Sequence, residues 1–103
     1  MIDAVFSAKI WYWRGPSPFH FVSTPKELTR EISDISGNFS YGWGAIPAIV
    51  TIGSTEFTTS IFPKDGSYLV PLKKAVRESE RMEVDDEVSV HLIIGITPPT
   101  PKN

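Results

Sequence analysis

Apolar and polar residues alternate along much of this chain. Over residues 5–14, Phe6, Ala8, Ile10 and Tyr12 fall on one face, while Trp11 and Trp13 fall on the other. A period of two carried by aromatic and β-branched residues predicts a strand. Gly15-Pro16-Ser17-Pro18 predicts a turn, and residues 19–23 return as the second strand of a hairpin. The period then changes. Leu28, Ile32 and Ile35 recur at helical spacing. Thr24 suits the N-cap, Pro25 the first helical position, and Glu27 the reciprocal contact of a capping box. Gly37-Asn38 predicts the helix end.

The second half repeats the order. Residues 45–52 form an apolar, β-branched run that predicts a buried strand. Gly53-Ser54 turns the chain, and Phe57, Thr59 and Ile61 alternate again. Lys64-Asp65-Gly66 is a hairpin signal, residues 68–72 return, and a second helix is predicted over residues 73–81. Asp85-Asp86 predicts a turn before a last strand carrying Val88, Val90, Leu92 and Ile94. Residues 96–103 hold three prolines and predict a flexible tail. The expected organisation is one domain over residues 1–95 followed by that tail.

The two halves match residue by residue. Phe6, Ala8 and Ile10 correspond to Phe57, Thr59 and Ile61, and Phe21 and Val22 to Tyr68 and Leu69, with extra residues in the first hairpin tip. A lone hairpin with one short helix cannot bury its apolar face. Two such units facing each other can close a barrel. The expected fold is therefore mainly β (α+β): a single-chain, pseudo-twofold, six-stranded barrel with two short helices.

The segment Tyr68-Leu69-Val70-Pro71-Leu72-Lys73, followed by Arg77, Met82, Asp85-Asp86, Val88 and Val90, resembles the AbrB and MazE type of half-barrel. Those proteins usually build the full barrel from two chains; here both halves would sit in one. Their pattern has Gly-Asp where this chain has Asp85-Asp86. A wider match covers about residues 5–94. The stretches Phe6-Ser7-Ala8-Lys9-Ile10-Trp11, Phe19-His20-Phe21-Val22, Gly42-Trp43-Gly44-Ala45-Ile46-Pro47 and Phe62-Pro63-Lys64-Asp65-Gly66 resemble the bacterial family called domain of unknown function 1905. That resemblance implies a double-split β-barrel and no assigned activity.

Composition narrows the classes. Hydrophobic residues are 41 % and charged residues 21 % of 103, which argues against bulk disorder. The longest run without a polar side chain is about eight residues, too short to span a membrane. Residues 1–15 include Asp3, Lys9 and Arg14 and read as no secretory signal, so cytoplasm is the expected compartment. The chain has no cysteine, which removes disulfides, thiolate metal sites and a cysteine nucleophile.

Little chemistry is signalled. Only His20 and His91 could serve a serine as base, and no Gly-x-Ser-x-Gly elbow exists. Both histidines read as surface or partly packed residues, so no catalytic residue is nominated and an enzyme of unknown class stays an alternative. No metal or cofactor is expected, because the histidines are far apart and Glu83, Asp85, Asp86 and Glu87 lack EF-hand spacing. A DNA-binding regulator of the AbrB/MazE type is the other alternative. Against it stand ten Lys and Arg versus twelve Asp and Glu, with the acids crowded near residues 78–87.

The remaining candidate is an aromatic and cationic surface formed by Trp11, Trp13, Arg14, His20, Trp43 and Lys64. Rigid rings beside a cation suit an anionic or planar group. The expectation is a non-catalytic accessory module that binds a small molecule or a protein and works as a single chain, with oligomers remaining possible. The competing expectation is that a helix, or the loop around Trp43, covers the tryptophans.

Overall fold

The computed structural model describes residues 1–16, 19–39 and 44–95, and of residues 36–39 the backbone alone. Trp43 and the expected tail, residues 96–103, lie outside the described residues. The elements in order are β1 (Ile2–Lys9), β2 (Trp11–Trp13), β3 (Phe19–Ser23), α1 (Lys26–Phe39), β4 (Ile46–Ile52), β5 (Thr55–Lys64), β6 (Ser67–Pro71), α2 (Lys74–Ser79) and β7 (Glu87–Ile94).

The strands form one sheet in the order β1-β7-β4-β5-β6-β3-β2, and every pair is antiparallel. The sheet curls, and its two end strands are consecutive in the chain. Six strands were expected and seven are present because the first run is broken at Ile10. β1 pairs with β7 down to Lys9 opposite Glu87. Ile10 extends that register, donating its N–H to the Asp86 carbonyl at 2.9 Å and accepting from Asp85 N–H at 2.8 Å. Trp11 then pairs with Phe21 on β3. Tyr12 keeps the face of Ile10 but lies beyond the break and is 40 % exposed.

β5 makes the same change of partner without a break. Ile61 pairs with Ile46 on β4, and Phe62 pairs with Leu69 on β6. Two long-range backbone bonds repeat in the same way: Leu72 N–H donates to His20 at 2.9 Å, and Thr24 N–H donates to Tyr68 at 3.0 Å. The pairing aligns Phe21 with Leu69 rather than Tyr68, one residue from the match read in the sequence. More residues separate Trp13 from Phe19 in the first hairpin than separate Lys64 from Ser67 in the second.

The turns follow their residues. Asp65 and Gly66 take φ of 53° and 80°, the two positive values of a type I′ hairpin. Gly53 opens the β4–β5 hairpin at φ 61°. Asp85 stands at φ 73°, a conformation glycine enters without steric cost. The departure from a Gly-Asp turn is therefore one of side chain.

α1 buries Leu28 and Ile32 against the sheet and runs through Phe39, past the expected stop at Gly37-Asn38. Thr24 does not cap it. Its hydroxyl accepts the Tyr68 N–H at 3.0 Å and shares a proton with the Thr29 hydroxyl at 2.7 Å, tying the helix entry to β6. α2 is shorter than expected. It ends where Arg81 turns left-handed at φ 53°, with Met82 N–H bonded to Arg77 and Arg81 N–H to Glu78. These are the two bonds of a Schellman motif, and Met82 packs in the core near Val76 as that motif favours.

The core fills the inside of the curl. Ile10, Ile32, Ile46, Ile61, Leu72 and Leu92 are wholly buried within it. Phe21 and Leu69 are buried as well but belong to a second apolar cluster on the outer face of β3 and β6.

Candidate functional site

The five nominated residues that the structure describes divide into two neighbouring groups. The first group is the outer aromatic cluster. Phe21 is its centre, with Trp11 at 5.4 Å, Phe19 at 5.6 Å, Phe62 at 5.7 Å and Trp13 at 6.4 Å between ring centroids. The alternation that points Ile10 and Val22 inward points these rings outward. Offset and tilted aromatic pairs each contribute about 0.5–1.5 kcal/mol beyond their burial. Trp11 also donates its indole N–H to Ser23 Oγ at 2.9 Å. Lys64 Nζ lies 5.0 Å from the Trp13 ring centroid, joining the two hairpin tips by a cation–π contact. Trp13 in turn lies flat on the bare Cα of Gly15, where a Cβ would meet the indole at 2.6 Å. Trp13 and Lys64 thus have each other as partners.

The second group opens beside the first and shares Trp11 with it. Trp11, Tyr12, Arg14 and His20, joined by Val84, line an open depression of about 710 Å³. Tyr12 and His20 face each other across β2 and β3, with ring centroids 4.8 Å apart. Val84, 44 % exposed, supplies an aliphatic part of the lining. Burial holds the His20 imidazole below its ordinary range, and the charge of Arg77 lowers it further. His20 is therefore mainly a neutral ring near pH 7, able to donate from one nitrogen and accept at the other. Arg14, exposed at the rim, carries the positive charge.

Tyr12, Val84 and Arg77 escaped the sequence reading. Tyr12 was hidden by an alternation that continued through the break at Ile10. Val84 carries a faint signal, a lone β-branched residue inside an acidic run. Arg77 acts from another element, which sequence spacing does not show.

His91 faces outward, as expected, and its Nε2 lies 2.6 Å from Asp3 Oδ1 on the neighbouring strand. The pair sits on an open sheet face, with the two side chains 39 % and 54 % exposed. An imidazole and a carboxylate are present there without an enclosing cleft. Among the described residues, no group of three or more His, Asp or Glu could hold a metal ion. No helix among them is long and apolar enough to cross a membrane.

The family model described as Domain of unknown function (DUF1905) matches residues 6–92. That span runs from Phe6 in the middle of β1 to Leu92 near the end of β7. The chain belongs to this family. No curated protein matches it. The DUF1905 region contains the β2–β3, β4–β5 and β5–β6 hairpins, both helices and every residue that lines the depression.

Proposed function

We propose that this DUF1905 chain is a non-catalytic binding module whose site is the depression beside His20. The observation that carries this reading is the convergence of Trp11, Tyr12, Arg14 and His20, with Val84, around one hollow. The ligand class that fits is a small planar anion, such as an aromatic carboxylate. Tyr12 and Trp11 offer ring faces, Arg14 offers a fork of donors for a carboxylate, and neutral His20 offers one donor and one acceptor. Trp13 and Lys64, from the original six residues, belong to the wall that supports the site. The same chemistry suits an acidic or aromatic side chain presented by a protein partner.

The architecture supporting the site is, on this reading, a six-stranded pseudo-twofold barrel of the double-split type. β1 and β2 count as one strand bent at Ile10, as β5 is one strand that changes partner at Ile61. Exchanging the two halves then leaves the pairing list unchanged.

The test is chemical-shift mapping with a library of aromatic carboxylates and short acidic peptides. Binding should shift the Trp11 indole, His20 and Arg14 side-chain resonances together, and Arg14→Ala should weaken it by about ten- to a hundredfold. Shifts confined to another surface, or none across the library, would remove this site. A DNA duplex run at low and moderate salt separates the regulator alternative, whose binding would fall steeply with salt.

A further inference from the structure

β1 ends the sheet. β7 pairs one of its edges, and among the described residues no strand pairs the other. Its outer face carries Asp3, Val5, Ser7 and Lys9, all exposed, with Val5 at 68 %. An open edge with a bare valine at its middle is an arrangement that sheets normally blunt. The matching strand of the second half does blunt it. There the position equivalent to Val5 is Glu56, and Thr55 is held by Ser79 and Glu80 from the end of α2. Beside β1 the helix α1 instead leaves a groove of about 430 Å³ along Ala4, Val5 and Phe6.

We propose that β1 is a self-association edge, pairing antiparallel with β1 of a second copy about a twofold axis at Phe6. Facing residues of an antiparallel pair lie on the same side of the sheet, so such an axis must pass through a residue position. With the axis at Phe6, Asp3 of each copy faces Lys9 of the other, Ala4 faces Ala8, and Val5 faces Ser7. Both outer-face charges of the strand are then matched, twice over. An axis at Val5 sets Asp3 against Ser7 and Lys9 against Met1. An axis at Ser7 sets Val5 against Lys9 and leaves Asp3 without a charged partner. Charge complementarity thus selects both the partner and the register. Asp3 keeps its contact with His91 in this arrangement, since a carboxylate has acceptor sites for both.

One eight-residue strand per copy makes a small interface, so association should be weak and concentration-dependent. Sedimentation velocity on the full chain, from micromolar to millimolar concentration, should show a monomer–dimer equilibrium. Asp3→Lys and Lys9→Glu should each weaken dimerisation by about tenfold, because each sets like charges opposite one another at two places. The double variant D3K/K9E should recover the wild-type constant. His91→Ala should leave it unchanged, which separates the contact between copies from the contact within one. Circular dichroism of each variant should match the wild type. A monomer at every concentration, single variants that associate like wild type, or a double variant that fails to recover would each overturn the proposal.

Discussion

Ile10 and Ile61 hold the same place in the two halves of the sheet. Each is wholly buried, and at each one the chain leaves one neighbour and takes up another. Before Ile10 the partner is β7 and after it β3; before Ile61 the partner is β4 and after it β6. At each corner the side chain points inward and is packed in the core. Substituting either residue therefore leaves a cavity that the bend cannot easily close.

Ile10→Ala and Ile61→Ala should each cost about 2–5 kcal/mol, within the range for deleting a buried aliphatic side chain. Tyr12→Ala, two residues from Ile10 but 40 % exposed, should cost less than either. Urea unfolding of the three variants checks this. A small loss at Ile10 with a large one at Ile61 would mean that the corners are not equivalent.

Much of the sheet-forming pattern is legible in the sequence, because period-two alternation and the Asp65-Gly66 turn act locally. The break at Ile10 is not legible. Phe6, Ala8, Ile10 and Tyr12 keep perfect alternation through it, and only the long-range bonds to Asp85 and Asp86 show where the strand changes partner. The helix entry was misread for a similar reason. Thr24 has the residue type of a cap, but the N–H it accepts belongs to Tyr68, far along the chain. Of the candidate site, the aromatic and cationic residue types were visible. What was hidden is that Lys64 lies against Trp13 and that Arg14 and His20 open away from them, since both depend on which hairpin tips meet.

Two residues hold left-handed backbone without being glycine at the end of the second helical segment. Arg81 has φ 53° and Asp85 φ 73°. Replacing either by Gly should remove local strain, offset in part by the greater freedom of the unfolded chain. A net gain of up to about 1 kcal/mol is expected for Arg81→Gly, whose site is the C′ position of a Schellman motif. Thermal unfolding should show a higher midpoint. Ala at the same positions should give no such gain.

Gly53 has a close neighbour as well as a positive φ. The Glu80 carboxylate covers its Cα so closely that a Cβ would collide with Oε1. Gly53→Ala should therefore destabilise by about 1–3 kcal/mol, from φ strain and steric overlap together. In a Glu80→Ala background the overlap is gone and only the strain remains. A double-mutant cycle should return a coupling of opposite sign to the single losses.

Glu80 also accepts from the Thr55 hydroxyl at 2.6 Å and from Ser54 at 3.2 Å. The Thr55 bond, with the Ser54 bonds behind it, holds the Glu80 carboxyl below its ordinary value. A depressed carboxyl stabilises the fold above the unfolded-state value, and that contribution is lost as pH falls through the folded-state value. The stability difference between wild type and Thr55→Val should therefore be largest near neutral pH and shrink on acidification. A difference that stays constant from neutral to acid pH would assign the loss to packing alone.

Arg77 lowers His20 through its charge, after burial has done most of the work. Arg77→Gln should raise the His20 titration midpoint, read from its ring proton shifts. No movement would detach Arg77 from the site.

The central claim is that the first strand changes partner at Ile10, so that both halves contribute to one continuous interior. Backbone nuclear Overhauser spectroscopy in solution tests it at adjacent residues. The account predicts contacts from Ile10 to Asp86 and, one residue on, from Trp11 to Phe21, matched by Ile61 to Ile46 and Phe62 to Leu69. Backbone contacts that pair Trp11 with Asp85 and Tyr12 with Val84 in place of Phe21 and His20, or an Ile10 amide that exchanges as freely as an edge residue, would contradict it.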